Sequence, residues 1–199
     1  EELAYPADPD SEYGWEKLFS ERLYATFARK NSLEVRIARF HNIFGEEGTW
    51  DGGKEKVPAA ACRKVARVEN GGVIAVWGDG EQTRSFLHIS EAVEGIFRLM
   101  RSDYDQPLNI GSDQLISINE LYDLVAEFDG KHFTKEHDLS APQGVRGRNS
   151  DNTLVESVLG WRPSKPLDEG LKTTYEWIKE QILERENCES EETRGSQAD

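Results

Sequence analysis

Leu33-Glu34-Val35-Arg36-Ile37-Ala38-Arg39-Phe40 is a run in which apolar and polar side chains alternate, and this alternation predicts a β-strand. The run directly follows a helical pattern over about residues 14–30. The apolar stripe of that helix consists of Trp15, Leu18, Phe19, Leu23 and Phe27. A helix joined to a strand by a short turn is typical of one crossover in a parallel sheet, so this stretch predicts the α/β class.

Further helices and strands are predicted along the middle of the chain. A helix is expected to open near Pro58, because proline suits the first turn of a helix, and Val73–Trp77 predicts a short strand. Pro107–Ile110 predicts another buried strand. Ser117 and Glu120 have the spacing of a capping box, which indicates the start of a helix. We expect these later elements to lie mostly outside any single regular sheet.

Three more segments complete the expected organisation. Ser90 is expected to cap a helix that ends near Arg101, and a short helix is expected to end at Leu159-Gly160. The inner face of the first of these should consist of Val93, Ile96, Phe97 and Met100. The last helix is expected over about Leu167–Leu183. Its inward side chains should be Leu171, Tyr175, Ile178 and Ile182. Residues 184–199 are rich in acids and poor in apolar residues, which predicts a disordered tail.

Composition argues against several classes of function. The 199 residues carry a net charge of −14, which argues against nucleic acids and anionic membranes as partners. No apolar run approaches the length of a membrane span. The two cysteines, Cys62 and Cys188, form neither a disulfide framework nor a metal-ligand spacing. We therefore expect no metal site and a reducing, cytoplasmic location.

The ends of the sequence lead to an expectation about its extent. The chain begins at Glu1 and its only methionine is Met100, so we expect a fragment or a processed product. No glycine-rich dinucleotide motif follows a strand, and such a motif normally lies in the first unit of a doubly wound sheet. We therefore expect the chain as given not to catalyse a reaction by itself.

Tyr13-Gly14-Trp15-Glu16-Lys17 places a tyrosine and a lysine one helical turn apart. A phenol is normally protonated at neutral pH, but a lysine ammonium on the same helix face stabilises the phenolate. Such a pair can accept a proton from a hydroxyl while the carbon that bears it is oxidised. Taken alone, the pattern is typical of many solvated helix surfaces.

Four other segments give the tyrosine–lysine pair its context. Arg39–Gly45 places an amide, Asn42, after a strand, and Trp77–Phe86 contains a tight turn with an arginine. Gly144–Asp151 is a loop with two arginines suited to phosphate, and Leu159–Pro163 closes the set. In this order and spacing, the motifs resemble the extended short-chain dehydrogenase/reductase family of nucleotide-sugar epimerases and dehydratases.

The resemblance implies a fold and a division of the chain. Residues 1–45 would be the C-terminal part of a doubly wound, Rossmann-type NAD-binding domain. Residues 46–183 would form mainly a smaller, mixed α/β substrate-binding region, followed by the acidic tail at 184–199. Relatives commonly form homodimers through the helix of the tyrosine and lysine, which implies a homodimer here. Cys62 does not match the family's catalytic cysteine, and a small buried side chain is expected there.

A second block narrows the resemblance. His41-Asn42, Gly48–Ala60, Gln82-Thr83-Arg84 and Val145–Asn152 are similar to the branch that epimerises GDP-mannose at C3 and C5. This similarity implies NAD as cofactor, a GDP-sugar as substrate and GDP-L-galactose as product. Another NAD-dependent nucleotide-sugar 4-epimerase or a 4,6-dehydratase remains open, as does a truncated chain that only binds a nucleotide sugar or a partner.

The resemblance also implies roles for single residues. Tyr13 would be the base at the C4 hydroxyl, Lys17 would assist it and hold the nicotinamide ribose, and Lys56 would belong to the acid/base pair. The implied substrate contacts are Asn42, Glu55, Lys56, Lys64, Gln82, Arg84 and Arg148. We expect Tyr13 to share a cleft with Asn42 and Lys56. We also expect Arg84 and Arg148 to meet at a diphosphate, the alternative being ion pairing with carboxylates.

Overall fold

The structure is a computed structural model that describes residues 7–9, 11–141 and 146–195, with side chains described up to residue 190. The helices are α1 (Glu12–Asn31), α2 (Val57–Arg67), α3 (Ile89–Arg101), α4 (Ile118–Glu127), α5 (Thr153–Leu159) and α6 (Leu167–Gly195). The strands are β1 (Ala38–Phe40), β2 (Ile43–Phe44), β3 (Val73–Trp77), β4 (Thr83–Ser85), β5 (Leu87–His88), β6 (Leu108–Ile110), β7 (Leu115–Ser117), β8 (Thr134–Asp138) and β9 (Gly147–Arg148).

Most strand pairs are parallel. Strand β1 pairs with β6, β2 with β5, and β3 with β8, each in parallel, while β4 lies between antiparallel β7 and parallel β9. Parallel partners need long connections, and helices supply several of them here. This arrangement confirms the predicted α/β class.

Two clusters of buried side chains hold these elements together. The larger cluster lies among α2, α4 and α6 and the inner face of β3, and it includes Val65, Val76, Leu121, Tyr175 and Ile178. The smaller cluster lies around β6, α3 and α5, and it includes Leu99, Leu108, Ile110 and Val155. The helices α2 and α4 and the strand β3 therefore have a packed support, and they provide much of the lining of a cavity described below.

The predicted first helix is confirmed, but its apolar stripe is not buried. Helix α1 begins after Ser11, whose hydroxyl accepts a hydrogen bond from Gly14 N at 3.4 Å. No residue of α1 is buried, and Phe19 is 65% exposed. The strand that follows is shorter than predicted, since only Ala38–Phe40 pairs as a strand.

Helix α3 differs from the prediction in its cap and in its inner face. Its N-cap is His88, whose side chain accepts from Ser90 N. The buried face is Ala92, Gly95 and Leu99, whereas the expected Val93, Phe97 and Met100 are exposed. A Cβ on Gly95 would lie 2.8 Å from Ile110 Cγ2, so the helix approaches β6 through its small residues. The prediction was wrong because it followed the spacing of the large apolar side chains, which lie on the opposite face of the helix.

The remaining predictions were largely confirmed. Ser117 and Glu120 form the predicted capping box at the start of α4, and Gly160 ends α5 in the left-handed conformation. The predicted inward side chains of α6 are all buried. Helix α6 continues to Gly195, however, so the predicted disordered tail is helical from residue 184 to 195. This segment is rich in glutamate, which extends a helix well once packing has nucleated it; residues 196–199 lie outside the described part.

Candidate functional site

Tyr13 and Lys17 lie on the first turns of α1 and open into a cleft of about 730 Å³. The Lys17 ammonium lies 5.0 Å from the centroid of the Tyr13 ring, so the expected pairing on one helix face is present. Tyr13 is 69% exposed. Arg39 and Phe40 from β1 line the opposite part of this cleft, which we call the tyrosine cleft.

Asn42 and Lys56 do not line the tyrosine cleft, so the expectation of a shared cleft was wrong for both. The Asn42 amide nitrogen donates to Ser85 O at 3.1 Å, which turns this side chain towards β4. Its backbone adopts a positive φ of 31°. Lys56 is exposed and is the N-cap residue of α2. The turn after β1 and the loop before α2 therefore direct both residues to other neighbours.

A second cavity, of about 420 Å³, lies between α2, β3 and α4. Its lining contains four of the predicted substrate contacts, namely Glu55, Lys64, Gln82 and Arg84. The other lining residues are Gly53, Val57, Ala60, Arg63, Val76, Trp77, Ile118 and Tyr122. We call it the arginine cavity. The two cavities share no lining residue.

Arg84 and Arg148 lie on adjacent strands. In the parallel pair of β4 and β9, Arg84 is the register partner of Arg148, so the two side chains leave the sheet on the same face. This confirms that they approach each other, although 64 positions separate them in the sequence. Arg148 is exposed at the edge, whereas Arg84 is partly buried and lines the arginine cavity. The first residues of the predicted double-arginine loop, Gly144 and Val145, lie outside the described part.

Charges in the arginine cavity disfavour further positive charge. Burial lowers the pKa of Arg84, and the neighbouring Arg148 lowers it further. Burial likewise lowers the pKa of Lys64, with a second contribution from Arg63 and an opposing one from Glu55. Lys64 Nζ donates to Ala75 O at 2.6 Å. A bound anion would relieve this repulsion, so the cavity suits a negatively charged ligand.

Glu55 is the acidic group in the wall of this cavity. Burial alone would raise the pKa of Glu55, but the backbone N–H groups of Glu55 and Gly53 and the Arg63 guanidinium together lower it. Arg63 Nη2 donates to Glu55 Oε1 at 2.5 Å. Glu55 Oε2 and Gln82 Oε1 are buried without a hydrogen-bond partner of good geometry in the described part of the chain. Both oxygens are shielded from solvent in this structure, so a ligand with N–H donors would reach them only after a shift of these side chains towards the cavity.

Three residues of the cavity were missed or misjudged in the sequence. Arg63 was not singled out, because its role depends on a contact with Glu55, eight positions earlier, which no local pattern indicates. Trp77, which the sequence indicated only as the end of a strand, is 63% exposed and lines the arginine cavity. Burial raises the pKa of Tyr122 to about 12, which keeps its hydroxyl protonated.

Cys62 is fully buried, and burial raises the pKa of its thiol to about 12, so the expectation of a small buried side chain is confirmed.

Comparison with known proteins identifies the family. The sequence model of the NAD dependent epimerase/dehydratase family matches residues 1–111. The chain belongs to this family. It is 49% identical to GDP-mannose 3,5-epimerase of Arabidopsis thaliana over 97% of this chain and 49% of that protein. It is 48% identical to GDP-mannose 3,5-epimerase 1 of Oryza sativa subsp. japonica over 96% of this chain and 48% of that protein.

A solved structure of the same epimerase/dehydratase family supports the fold. UDP-glucose 4-epimerase from Thermotoga maritima, determined with UDP-glucose, matches with a TM-score of 0.77 and 28% identity, over 88% of this chain and 55% of that one. The similarity confirms the predicted Rossmann-type α/β class. The chain spans about half the length of the curated relatives it matches. Within the described residues, no helix is both long enough and apolar enough to span a bilayer.

Proposed function

We propose that this chain is the part of an NAD-dependent nucleotide-sugar epimerase that binds GDP-mannose, in a protein that epimerises the sugar at C3 and C5 to give GDP-L-galactose. The observation that carries the proposal is the pairing of Arg84 with Arg148 beside the cavity that also contains Lys64. In a chain with a net charge of −14, such a local concentration of positive charge indicates a specific anion. Arginine pairs are suited to the oxygens of a diphosphate.

The acceptors in the wall of the arginine cavity support guanine as the base. Guanine presents two adjacent donors, the ring N1–H and the exocyclic amino group, whereas uracil presents a single N–H between two carbonyl acceptors. Glu55 Oε2 and Gln82 Oε1 are both buried acceptors without a good partner. A buried acceptor left unpaired is costly, so a base with two donors is the better match. Asn42 and Lys56 complete the proposed substrate contacts by family resemblance.

The tyrosine cleft fits the cofactor and the sugar carbon that reacts. Tyr13 and Lys17 face a space large enough for a nicotinamide ribose, and NAD would supply the reversible oxidation at C4 when bound. Tyr13 accepts the proton of the C4 hydroxyl, and Lys17, one helical turn further on, holds the ribose. A carbonyl at C4 acidifies the hydrogens at C3 and C5. Lys56 is the proposed partner in their removal and return.

The domain division, location and assembly belong to the same proposal. We assign residues 1–45 to the cofactor-binding part and residues 46–183 mainly to substrate binding. A cytoplasmic location is supported by the free thiols of Cys62 and Cys188. A homodimer is supported by the exposed apolar side chains of α1 and α3, which would be covered by a second copy.

Binding of nucleotide sugars to the chain tests the proposal. GDP-mannose titrated into the protein should bind in a calorimeter more tightly than UDP-galactose, and free GDP should compete for the site. Equal affinity for GDP- and UDP-sugars would contradict the assignment of the substrate. No binding of any nucleotide sugar would contradict the proposed function altogether.

The tyrosine is tested separately in the protein that catalyses the reaction. Incubation of GDP-mannose with that protein in deuterated water should replace hydrogen at C3 and C5, which proton NMR detects. Tyr13→Phe should abolish this exchange while leaving the affinity for GDP-mannose within about twofold, because only the proton acceptor is lost. Exchange at the normal rate in Tyr13→Phe would show that another base performs this step.

A further inference from the structure

The loop between β2 and α2, residues 45–56, carries two of the proposed substrate contacts but has no regular secondary structure. We call it the substrate loop. Gly52 and Gly53 adopt φ values of 90° and 81°, and no atom lies within 4 Å of where their Cβ atoms would be. Two glycines in this conformation lose much conformational freedom when the loop is ordered. The position of Glu55, just after them, therefore depends on contacts made elsewhere in the loop.

Asp51 provides these contacts through three arginines. Asp51 Oδ2 accepts from Arg185 Nη1 at 2.7 Å and lies 3.5 Å from Arg67 Nη2, while Oδ1 lies 3.5 Å from Arg63 Nε. Burial would raise the pKa of Asp51, but the Gly52 N–H and the arginines lower it. Arg63 and Arg67 belong to α2, which directly follows the loop, whereas Arg185 comes from α6.

The indole of Trp50 adds a second contact to the same arginine. The Arg185 guanidinium lies 4.5 Å from the Trp50 ring centroid, and that of Arg67 lies 5.9 Å from it. Stacking of a guanidinium on an indole is favourable beyond the ion pair alone. Arg185 therefore holds two consecutive residues of the loop through two different kinds of contact.

A continuous series of polar contacts leads from Arg185 to the arginine cavity. Asp51 pairs with Arg185 and Arg63, and Arg63 donates to Trp50 O at 3.1 Å and to Glu55 Oε1. Helix α6 is anchored just before this point, because Ile182 is buried against the core. The end of α6 is thus a fixed support to which the substrate loop is attached.

We propose that Arg185 is a positioning residue which, through Asp51 and Trp50, fixes the substrate loop and so places Glu55 for the base of the nucleotide. This inference rests on the proposed function for the identity of the ligand, but not for the attachment of the loop. It assigns a role to the part of α6 beyond Leu183, where the sequence alone indicated a disordered tail.

Hydrogen exchange without ligand tests the attachment. In Arg185→Gln, amides of residues 45–56 should exchange about fivefold faster than in the wild type, while those of β3 stay unchanged. Lys172→Gln removes the same charge from an exposed site on the same helix and should change neither. In the double variant Arg185→Gln/Asp51→Asn, the increase in exchange should be smaller than the sum of the two single increases, because the Asp51 contact is shared, and what Arg185→Gln still adds reflects the lost contact with Trp50. Unchanged exchange of the loop in Arg185→Gln, or additive effects in the double variant, would overturn the proposal.

Calorimetric titration with GDP tests the consequence for binding. Arg185→Gln should raise the Kd for GDP about threefold to tenfold, and Arg185→Lys should recover part of this loss because it keeps the charge beside Asp51. A loop that exchanges faster while the Kd stays unchanged would overturn the positioning role. If the wild type binds no GDP, the proposed function fails, and the exchange experiment still decides whether Arg185 holds the loop.

Discussion

At the scale of single residues, two side chains in the wall of the arginine cavity each have an oxygen without a good hydrogen-bond partner. Glu55 has one carboxylate oxygen engaged by Arg63 and the other buried without a good partner. Gln82 likewise donates to Trp77 O at 3.2 Å while its own oxygen has no good partner. Such groups are uncommon in folded proteins, because an unpaired buried acceptor forfeits its hydration. A donor-bearing ligand would satisfy both once the two side chains turn these oxygens towards the cavity.

Replacement of Glu55 by glutamine should reduce the preference for guanine. A hydrogen bond to a charged acceptor contributes about 1.5–3 kcal/mol, so Glu55→Gln should lower the GDP-over-UDP affinity ratio by about tenfold or more. Calorimetric titration of both nucleotides measures the ratio. Glu69→Gln, at an exposed position outside the cavity, is the matched control. An equal loss of affinity for GDP and UDP would show that Glu55 does not contact the base.

At the scale of elements, α2 is held at its C-terminal end by one lysine. Lys131 Nζ donates to the carbonyl oxygens of Val65, Ala66 and Val68, at 2.8, 2.7 and 3.0 Å. These carbonyls at the end of the helix have few other partners, and a cation there also suits the helix dipole. Helix α2 carries Arg63 and Lys64, so this contact fixes one wall of the arginine cavity.

Lys131→Met should therefore destabilise the protein by releasing the end of α2, although Lys131 itself does not line the arginine cavity. We expect a loss of about 2 kcal/mol, since a charged donor with several acceptors is removed and the acceptors are left unpaired. The midpoint of thermal unfolding should fall by about 4–8 °C for a chain of this length. Lys172→Met, at an exposed position, should change the midpoint little. For a chain of this length, 1 kcal/mol of stability corresponds to about 2–4 °C in the midpoint. A midpoint of Lys131→Met within about 1 °C of the wild type would therefore contradict the proposed role of Lys131 at the end of α2.

The contact between α6 and the turn that follows α4 should depend on pH. Asp129 accepts from Tyr175 Oη at 2.6 Å and from Lys179 Nζ at 2.8 Å. Burial would raise the pKa of Asp129, but these bonds lower it below its ordinary value. A carboxyl with a lowered pKa stabilises the folded state above its unfolded pKa of about 3.9, and this stabilisation is lost as the pH falls through the folded value.

Asp129→Asn should therefore be less stable than the wild type at neutral pH, by a difference that narrows as the pH falls below the unfolded pKa of about 3.9. Urea unfolding at pH 7, 5, 4 and 3.5 should show a difference in unfolding free energy of about 1–3 kcal/mol at pH 7 that shrinks below pH 4. A difference that stays constant over this range would mean that the negative charge of Asp129 does not contribute to the free energy of unfolding.

The long elements were predictable from the sequence, whereas the two-residue strands were not. Helices α1, α4 and α6 repeat their apolar pattern over several turns, and β3 was predicted with its observed limits. Strands β2, β5 and β9 have two residues each, too few for any period to show. Their existence depends on partners far away in the sequence. Most of the other differences between prediction and structure likewise arise from contacts between residues that are distant in the sequence.

The candidate site divides in the same way. The motifs correctly indicated that Arg84 and Arg148 would approach each other. The resemblance implied Glu55, Lys64 and Gln82 as substrate contacts, and all three line the same cavity as Arg84. They did not indicate that Arg63 would bind Glu55, since that contact joins a helix to an irregular loop. The contact of Arg185 with Asp51 spans 134 positions, and no local pattern signals it.

At the scale of the whole molecule, the net charge and the arginine cavity oppose each other. A net charge of −14 repels an anionic ligand at long range, while Arg84, Arg148 and Lys64 attract it at contact. Salt screens the long-range repulsion within about 10 Å at 0.1 M, but it weakens close, partly buried contacts much less. The proposed preference for a nucleotide diphosphate therefore rests on these local positive charges and not on the net charge.

The central claim, that Arg84 and Arg148 together bind the diphosphate of a GDP-sugar, is tested most directly by titrating GDP and guanosine into four forms of the chain. These are the wild type, Arg84→Gln, Arg148→Gln and the double variant, measured by calorimetry at fixed salt. Each single variant should raise the Kd for GDP about tenfold, with coupling between them, and should leave the Kd for guanosine unchanged. Unchanged affinity for GDP, or an equal loss for GDP and guanosine, would contradict the account.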